Sequence, residues 1–329
     1  MNKTYRSYWL GGLMLAAAAL LLVSAWMPSL FGGKPKHEEK TIQLIMRTSE
    51  GSYWNNIASG AEAAVKEFGV NVHTFAAEDE GDVGSQVEKA MMSLDEKPDA
   101  IVLGASDDAA FAPFLKEADK RGIPVVAIDS LLTSGKTVSY IGIDNRKAGR
   151  EALRQMSEML GGKGRIAILS SSAGGINGKL REQGIREAAA EAGSGIHIVS
   201  SQQCSQQYGE CQEAVRRLLE AEKVDGIISL NTDTTAGAAT ELQRRQAGGQ
   251  IKLIGFDSSD ELLELLQDGQ LQALIVQNPF SIGYLGVKYA LAAAKGEPVP
   301  AKVDMDMKII NKFNMFWMEN QKLLFPVVQ

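Results

Sequence analysis

Residues 251–279 read IKLIGFDSSDELLELLQDGQLQALIVQNP, and this stretch decides the fold. An apolar run ends at Asp257, leucines then recur at helical spacing, and after a turn a second apolar run ends at Gln277. The pattern predicts a strand, a helix and a second strand of a parallel sheet. Because the carboxyl ends of parallel strands border a ligand crevice, we expect both polar residues beside one, where an uncharged polyol would fit.

Upstream of this stretch, apolar runs alternate with helix-like segments twice over. PDAIVLGASDDA from Pro98 resembles VDGIISLNTDTT from Val224, and IPVVAID ending at Asp129 resembles IKLIGFD ending at Asp257. The repeated order predicts an α/β protein with two similar lobes, each built on a doubly wound parallel sheet. Because each half ends its fourth strand on an aspartate, facing lobes would bring Asp129 and Asp257 into one cleft.

Three stretches are suited to crossing between the lobes. They are VSYIGIDNRKAG from Val138, the segment after Gln277, and the extended run from Val303 to Ile310. We therefore expect a three-segment hinge. It would join an N-terminal lobe of residues 41–143 plus 278–306 to a C-terminal lobe of residues 144–277 plus 307–329.

The first residues differ from everything that follows. Lys3 and Arg6 precede an uncharged run to Phe31, which has about bilayer-spanning length and should leave the rest of the chain outside the cytoplasm. Trp26 suits the interface of an uncleaved helix, whereas the small residues up to Ala25 suit signal peptidase. We favour a signal-anchor over a cleaved signal peptide for residues 1–33, followed by a polar linker of residues 34–40.

Composition and motifs argue against several functions. The net charge is −6 and no basic block occurs beyond the N-terminus. The cluster of basic residues that is usual in a nucleic-acid-binding protein is therefore missing. His37, His73 and His197 are isolated, so no metal site is expected. GGINGKL lacks the hydroxyl residue that follows the lysine of a phosphate loop. We therefore predict neither an enzyme nor a cofactor.

Two further features concern the second half of the chain. Cys204 and Cys211 either form a small-loop disulfide in an oxidising compartment or remain two unpaired thiols, because spacing alone cannot establish the geometry. The apolar side chains of the tail, NKFNMFWMENQKLLFPVVQ, are expected to cover the edge of the second sheet. A contiguous exposed patch would instead indicate a docking surface.

From Thr41 to about Asn311 the chain resembles the periplasmic sugar-binding proteins of the ribose-binding type, whose fold also forms the ligand domain of LacI-like repressors. The motifs that carry the resemblance are SYW after the first strand, VVAID and LIGFD at strand ends, DN after the first crossing, SLNTD and QNPFSIG. The resemblance implies a sugar bound between two lobes that close about a hinge.

The resemblance also implies roles for particular residues. Two aromatic residues would stack on the sugar ring, two aspartates would accept hydrogen bonds from hydroxyls, and two amides would both donate and accept. In order, these are Tyr53 and Trp54, Asp129 and Asp257, and Asn231 and Gln277. As alternatives, an aromatic side chain would belong to the core, and each aspartate would only cap the following helix.

One departure from the ribose binders concerns arginine. Those proteins follow the first-lobe aspartate with arginine, whereas Ser130 stands here. A second family arginine aligns with Lys179, and Arg181 lies two residues further on. Arg47 on the first strand is a candidate for the missing guanidinium. Since lysine does not replace arginine in bidentate contacts, ribose itself is not favoured, and other sugars, polyols or furanose signals remain open.

Two functions fit these expectations. One is the substrate-binding component of a sugar ABC importer, which delivers its ligand to a permease. The other is a membrane-anchored co-receptor that reports a sugar to a sensor histidine kinase. We favour the importer, because it is the usual employment of the fold.

Overall fold

The structure is a computed structural model that describes residues 39–325, apart from residues 172–174, 192–194 and 205–207. The predicted signal-anchor of residues 1–33 lies outside the described residues, as does most of the predicted linker. Within the described part of the chain, no helix combines the length and hydropathy that a membrane span requires.

The described residues form alternating strands and helices. The strands are β1 (Thr41–Thr48), β2 (Asn71–Ala77), β3 (Ala100–Leu103), β4 (Val125–Ile128), β5 (Ser139–Gly142), β6 (Gly164–Ser171), β7 (Ile196–Cys204), β8 (Gly226–Ser229), β9 (Lys252–Phe256), β10 (Ala273–Val276), β11 (Lys302–Asp304) and β12 (Lys308–Ile310). The α-helices are α1 (Ser52–Phe68), α2 (Val83–Ser93), α3 (Ala112–Lys120), α4 (Asn145–Met159), α5 (Gly175–Ala190), α6 (Tyr208–Ala221), α7 (Thr232–Arg244), α8 (Asp260–Gln267), α9 (Pro279–Ala294) and α10 (Met318–Leu324).

These strands form two six-stranded sheets with the same order. The first sheet is β11-β5-β4-β3-β1-β2 and the second is β12-β10-β9-β8-β6-β7. All pairs are parallel except β10 with β12, which is antiparallel. This arrangement confirms the predicted fold class of two similar parallel-sheet lobes.

Both faces of the first sheet are covered, which explains why its central strands read as continuous apolar runs. Every residue of β3 and β4 is buried. Val102 and Ile128 belong to the core on one face, and Ile101 and Ala127 to the core on the other. The alternation follows from the two-residue period of a strand. The second sheet likewise has an apolar core on each face.

The repeated sequence produces a repeated contact below each sheet. Asp99 precedes β3 and accepts the backbone N–H of Thr41 at 2.8 Å, and Asp225 precedes β8 and accepts that of Arg165 at 2.7 Å. Each carboxylate therefore ties its own strand to the first strand of the same sheet. The duplication seen in the sequence is a duplication of contacts as well.

The chain passes between the sheets at three places. After β5 it enters α4, whose buried residues Ala148, Ala152 and Met156 pack on the second sheet. After β10 it enters α9, which packs against α1 on the first sheet so closely that a Cβ on Gly60 would lie 1.9 Å from the carbonyl oxygen of Phe280. The last passage runs from β11 to β12. The sequence analysis did not predict α4, although its apolar residues have helical spacing.

The second lobe carries the features left open by the sequence. Cys204 at the end of β7 and Cys211 in α6 are joined by a disulfide. In the tail, Met315 and Leu324 are buried in the core of the second lobe. Other large tail side chains are exposed, so covering the sheet edge accounts for only part of the tail. These are Phe313, Phe316, Trp317, Met318 and Phe325.

Candidate functional site

The two aspartates at the strand ends share an unusual backbone. Asp129 after β4 has φ of 63° and Asp257 after β9 has φ of 62°, both in the left-handed region. Each donates its backbone N–H across to the next strand, to the carbonyl of Ile141 and of Ile275 respectively, at 2.9 Å. Aspartate tolerates this conformation better than most residues, which fits its presence at both positions.

Both aspartates line one cavity of about 640 Å³, bordered by residues from the two sheets. The cavity lies at the carboxyl ends of the parallel strands, where α/β sheets bind ligands. Of the nine residues that the sequence analysis selected, seven line this cavity and two do not. The lining residues are Arg47, Tyr53, Trp54, Asp129, Arg181, Asn231 and Asp257 with their neighbours. Lys179 and Gln277 do not belong to the lining.

The carboxylate of Asp129 is surrounded by donors and is only 5% exposed. Its Oδ2 accepts from Arg47 at 2.8 Å, from the Ser130 hydroxyl at 3.1 Å and from the Asn177 amide at 3.0 Å. Its Oδ1 accepts from the Tyr53 hydroxyl at 2.8 Å. Charge-assisted hydrogen bonds of this kind are stronger than neutral ones, so the side chain is held in one orientation.

Arg47 on β1 is buried beside this carboxylate. Its guanidinium bonds to Asp129, to Glu80 at 3.1 Å and to the carbonyl of Ala105 at 3.1 Å, and it also contacts the Ser130 hydroxyl. It lies 5.8 Å from the ring centroid of Trp54. Burial opposes the charge, but the carboxylates outweigh it, so the pKa of Arg47 is raised. The first lobe therefore does have a guanidinium at its aspartate, supplied by β1.

The surroundings of Asp257 are sparser. Its Oδ1 accepts from the Gln277 amide at 3.0 Å, and its Oδ2 lies 3.8 Å from Arg181. Burial raises the pKa of Asp257, while Arg181 and Gln277 partly offset that effect. Gln277 is buried and contacts the aspartate rather than the cavity. It therefore orients Asp257 from behind.

Arg181, and not Lys179, places a positively charged side chain beside the cavity in the second lobe. Arg181 donates to the carbonyl of Leu230 at 2.7 Å and to Asn145 at 2.8 Å, and it stacks 4.3 Å from the Phe256 ring centroid. Lys179 is exposed and does not line the cavity. Two residues along an α-helix rotate a side chain by about 200°, so residues 179 and 181 cannot face the same cavity.

The aromatic pair has divided roles. The rings of Tyr53 and Trp54 meet edge to face at 5.5 Å. Trp54 is only 3% exposed and packs on Gly104, where a Cβ would lie 2.6 Å from its ring. Tyr53 is half-buried, and burial followed by the nearby carboxylates of Asp129 and Asp257 raises its pKa. Tyr53 thus presents a hydrogen-bonded hydroxyl, whereas most of Trp54 belongs to the core.

Asn231 both caps a helix and borders the cavity. Its side chain accepts the backbone N–H of Thr234 at 3.1 Å and begins α7. Two residues on, Asp233 also lines the cavity, and burial followed by Glu80 and Asp79 raises its pKa to about 6. Capping the helix and bordering the cavity are therefore compatible at this position.

Sequence reasoning missed several residues of the site. Asn177 lies in GGINGKL, which was considered only as a phosphate loop, and Asp233 lies in the quoted SLNTD motif. Ser130 was noted only for the arginine it replaces. Their contacts join segments distant in the chain, which a pattern of neighbouring residues does not reveal. Across the described residues, no group of three or more His, Cys, Asp or Glu side chains could hold a metal ion.

Comparison with known proteins agrees with this architecture. The profile of a periplasmic binding protein domain matches residues 42–298. The ribose import binding protein RbsB of Escherichia coli (strain K12) is 26% identical over 274 residues, which cover 83% of this chain and 90% of the relative.

Two solved structures extend the comparison. A carbohydrate transporter solute binding protein from Agrobacterium radiobacter, in complex with D-arabinose, has a TM-score of 0.83 and 29% identity, and the match covers 88% of this chain and 100% of that one. An ABC transporter solute binding protein from Agrobacterium vitis with bound D-fucose has a TM-score of 0.82 and 28% identity, covering 87% and 100%.

These relatives are binding proteins and not enzymes, which confirms the prediction of a non-catalytic function. A periplasmic family also supports an extracytoplasmic location. The two parallel-sheet lobes are those of the type I fold that the sequence resemblance implied. The chain belongs to the periplasmic binding protein family.

Proposed function

We propose that the chain binds a small neutral sugar between its lobes, as the substrate-binding component of an ABC sugar importer. The observation that carries the proposal is the cavity of about 640 Å³ that both strand-end aspartates, Asp129 and Asp257, border from opposite sheets. A monosaccharide has hydroxyls on several sides of its ring. A cavity with acceptors from two lobes would bind those hydroxyls at once.

The charge of the cavity supports a neutral ligand. Its lining contains two guanidinium groups, Arg47 and Arg181, and a larger set of carboxylates. These are Glu50, Glu78, Asp79, Glu80, Asp129, Asp233 and Asp257. Both guanidinium groups already contact carboxylates or carbonyls of the protein. A uronate or sugar phosphate would meet repulsion here, whereas an uncharged pentose or hexose would not.

The polar groups suit a sugar hydroxyl by their type. A carboxylate accepts only, a guanidinium donates only, and the amide of Asn231 does both. A hydrogen bond to a charged group contributes about 1.5 to 3 kcal/mol, so two or three of them account for much of a micromolar affinity of about 8 kcal/mol. The half-buried ring of Tyr53 would contact an apolar patch of the sugar.

Lobe closure would be the signal read by the permease. We infer that residues 41–143 plus 278–306 move against residues 144–277 plus 307–329 about the three passages. A sugar that contacts both lobes would stabilise the closed arrangement by its differential affinity for that state.

We also propose that residues 1–33 tether the protein to the membrane. The support is the uncharged run after Lys3 and Arg6. After alkaline extraction, the chain expressed with these residues should stay in the membrane pellet, and the chain expressed without them should not. A mature N-terminus near Ala25, found by mass spectrometry of the full chain, would contradict the anchor.

Binding is tested by isothermal titration calorimetry with a panel of D-ribose, D-allose, D-arabinose, D-fucose and D-glucuronate. At least one neutral sugar should bind with micromolar affinity, and D-glucuronate should not. Asp257→Asn should weaken the binding about a hundredfold, whereas Asp268→Asn, which changes an exposed carboxylate beyond the other end of α8, should not weaken it. Binding of D-glucuronate alone, or no loss in Asp257→Asn, would refute the proposal.

A further inference from the structure

A chain of buried polar side chains runs from one strand-end aspartate to the other. Asn177 donates to Asp129 Oδ2 at 3.0 Å, and Asn145 donates to Asn177 Oδ1 at 3.1 Å. Arg181 then donates to Asn145 Oδ1 at 2.8 Å and lies 3.8 Å from Asp257. Asp129, Asn177, Asn145 and Arg181 are all buried. The sugar-facing carboxylates of the two lobes are thus linked through protein groups alone.

One link of this chain crosses between the lobes. Asp129 follows β4 of the first sheet, whereas Asn177 lies in α5, which packs with α4 on the second. The Asn177 amide is used at both ends, since its nitrogen donates to Asp129 and its oxygen accepts from Asn145. Its orientation is therefore fixed, and its bond to Asp129 is both buried and charge-assisted.

The two oxygens of Asp129 have different surroundings. Oδ2 accepts from Arg47, Ser130 and Asn177, whereas Oδ1 accepts from Tyr53. A carboxylate oxygen has two lone pairs, so Oδ1 keeps room for one further donor and Oδ2 does not. A sugar hydroxyl would therefore bond to Oδ1, and the cross-lobe bond of Asn177 to Oδ2 would persist beside it.

A second close approach occurs at the same end of α5. A Cβ on Gly175 would lie 2.5 Å from the carbonyl oxygen of Ser106, which belongs to the loop after β3 in the first lobe. Backbone of the second lobe therefore meets backbone of the first with no space for a side chain. Gly175 and Asn177 together dock the start of α5 on the first lobe.

We propose that Asn177 is a closure latch. Its hydrogen bond to Asp129 stabilises the closed arrangement of the lobes before any sugar binds, and it positions Asp129 so that Oδ1 faces the sugar. The inference rests on the proposed function in taking this cavity as the sugar site. Asn177 is a positioning residue, because it acts through Asp129 and through the distance between the lobes.

The latch is tested on the full chain in detergent without any sugar. Spin labels at Lys120→Cys on α3 and Arg217→Cys on α6, both highly exposed, report the distance between the lobes by double electron–electron resonance. Asn177→Ala should lower the ratio of closed to open molecules by about tenfold, the effect of one charge-assisted hydrogen bond. Gln183→Ala, an exposed amide on the same helix, should leave the distribution unchanged.

Asn177→Asp provides a second variant of the same size, in case the alanine variant does not fold. It keeps the acceptor for Asn145 but turns a carboxylate oxygen toward Asp129, so it should open the lobes further than alanine does. Distance distributions of both variants that match the unchanged chain would overturn the latch. A role limited to direct sugar contact would not move this measurement, because no sugar is present.

Titration with D-arabinose and D-ribose then separates the latch from the proposed function. Asn177→Ala should weaken whichever sugar binds by about tenfold, because fewer molecules are closed. If neither sugar nor any other neutral sugar binds the unchanged chain, the proposed function fails while the distance result still decides the latch. If a sugar binds the variant with unchanged affinity, the latch is refuted and the proposed function stands.

Discussion

Asp129 and Asp257 occupy the same position in the two lobes and have different surroundings. Their backbones match in φ and in the N–H bond to the neighbouring strand. Around the side chains the likeness ends, because Asp129 accepts from four donor groups and Asp257 from the Gln277 amide, with Arg181 at 3.8 Å. The duplication has preserved the position of each carboxylate but not its hydrogen-bond partners.

The two guanidinium groups illustrate the same divergence. Arg47 reaches Asp129 from a strand, β1, whereas Arg181 reaches Asp257 from a helix, α5. One is in direct hydrogen-bond contact and the other is not. The first-lobe aspartate therefore joins several segments of the protein, in addition to its proposed contact with the sugar, whereas the second keeps more of its hydrogen-bonding capacity for the proposed ligand.

The largest expected effect separates the two aspartates by stability. Asp129→Asn places an amide among donors and leaves the buried guanidinium of Arg47 with Glu80 as its remaining carboxylate partner, so the free energy of unfolding should fall by about 3 kcal/mol. Asp257→Asn should change it by less than about 1 kcal/mol, because the raised pKa of Asp257 already marks a disfavoured charge. Urea denaturation of both variants measures this difference. Equal losses of stability in the two variants would contradict this difference between the two aspartates.

The second effect separates them by binding. Asp257→Asn should weaken the sugar about a hundredfold, the loss of one or two hydrogen bonds to a charged acceptor, with little loss of stability. Calorimetry at 25 °C measures the affinity, with Asp268→Asn as the exposed control. A variant that binds like the unchanged chain would remove Asp257 from the site.

The third effect extends the comparison to another repeated pair. Asp233 and Asp107 align in the duplicated motif, but Asp107 accepts the backbone N–H of Ala110 at 2.8 Å, and Asp233 is half-buried near Glu80 and Asp79. Because the folded pKa of Asp233, about 6, exceeds its unfolded value, its contribution to stability is lost as pH rises from about 4 through 6.

Asp233→Asn should therefore stabilise the protein by about 2 kcal/mol at pH 7, a value reduced for partial exposure, with no gain at pH 4. Asp107→Asn should gain nothing at either pH. Denaturation of each variant at pH 4 and at pH 7 measures both changes in the free energy of unfolding. A gain for Asp233→Asn that is independent of pH would refute the electrostatic explanation.

The smallest effect concerns the one donor on Asp129 Oδ1. Tyr53→Phe removes that hydroxyl and keeps the ring, so stability should fall by about 1 kcal/mol. If a sugar hydroxyl takes over the vacated acceptor, the affinity should fall less than the stability does. A larger loss of affinity than of stability would show that the Tyr53 hydroxyl bonds to the sugar itself.

Much of the fold could be predicted from the sequence because neighbouring residues carry the strand and helix patterns, and these patterns recur in both halves of the chain. VVAID and LIGFD end buried strands on aspartate, and a parallel sheet brings such ends together. The contacts of Arg47 and Asn177 could not be predicted in this way, because they join residues far apart in the chain. Helix α4 was not predicted because it begins at Asn145, directly within the first crossing, where an extended segment was expected.

The left-handed backbone at Asp129 and Asp257 limits what engineering or evolution can do with this cavity. Few residues other than aspartate, asparagine and glycine accept such a φ without strain, so these two positions have little freedom to change. A shift toward a new sugar would then arise at neighbouring positions whose backbone is ordinary. Asn231 and Asp233 are such positions, because both line the cavity from the start of α7 and neither has a left-handed backbone.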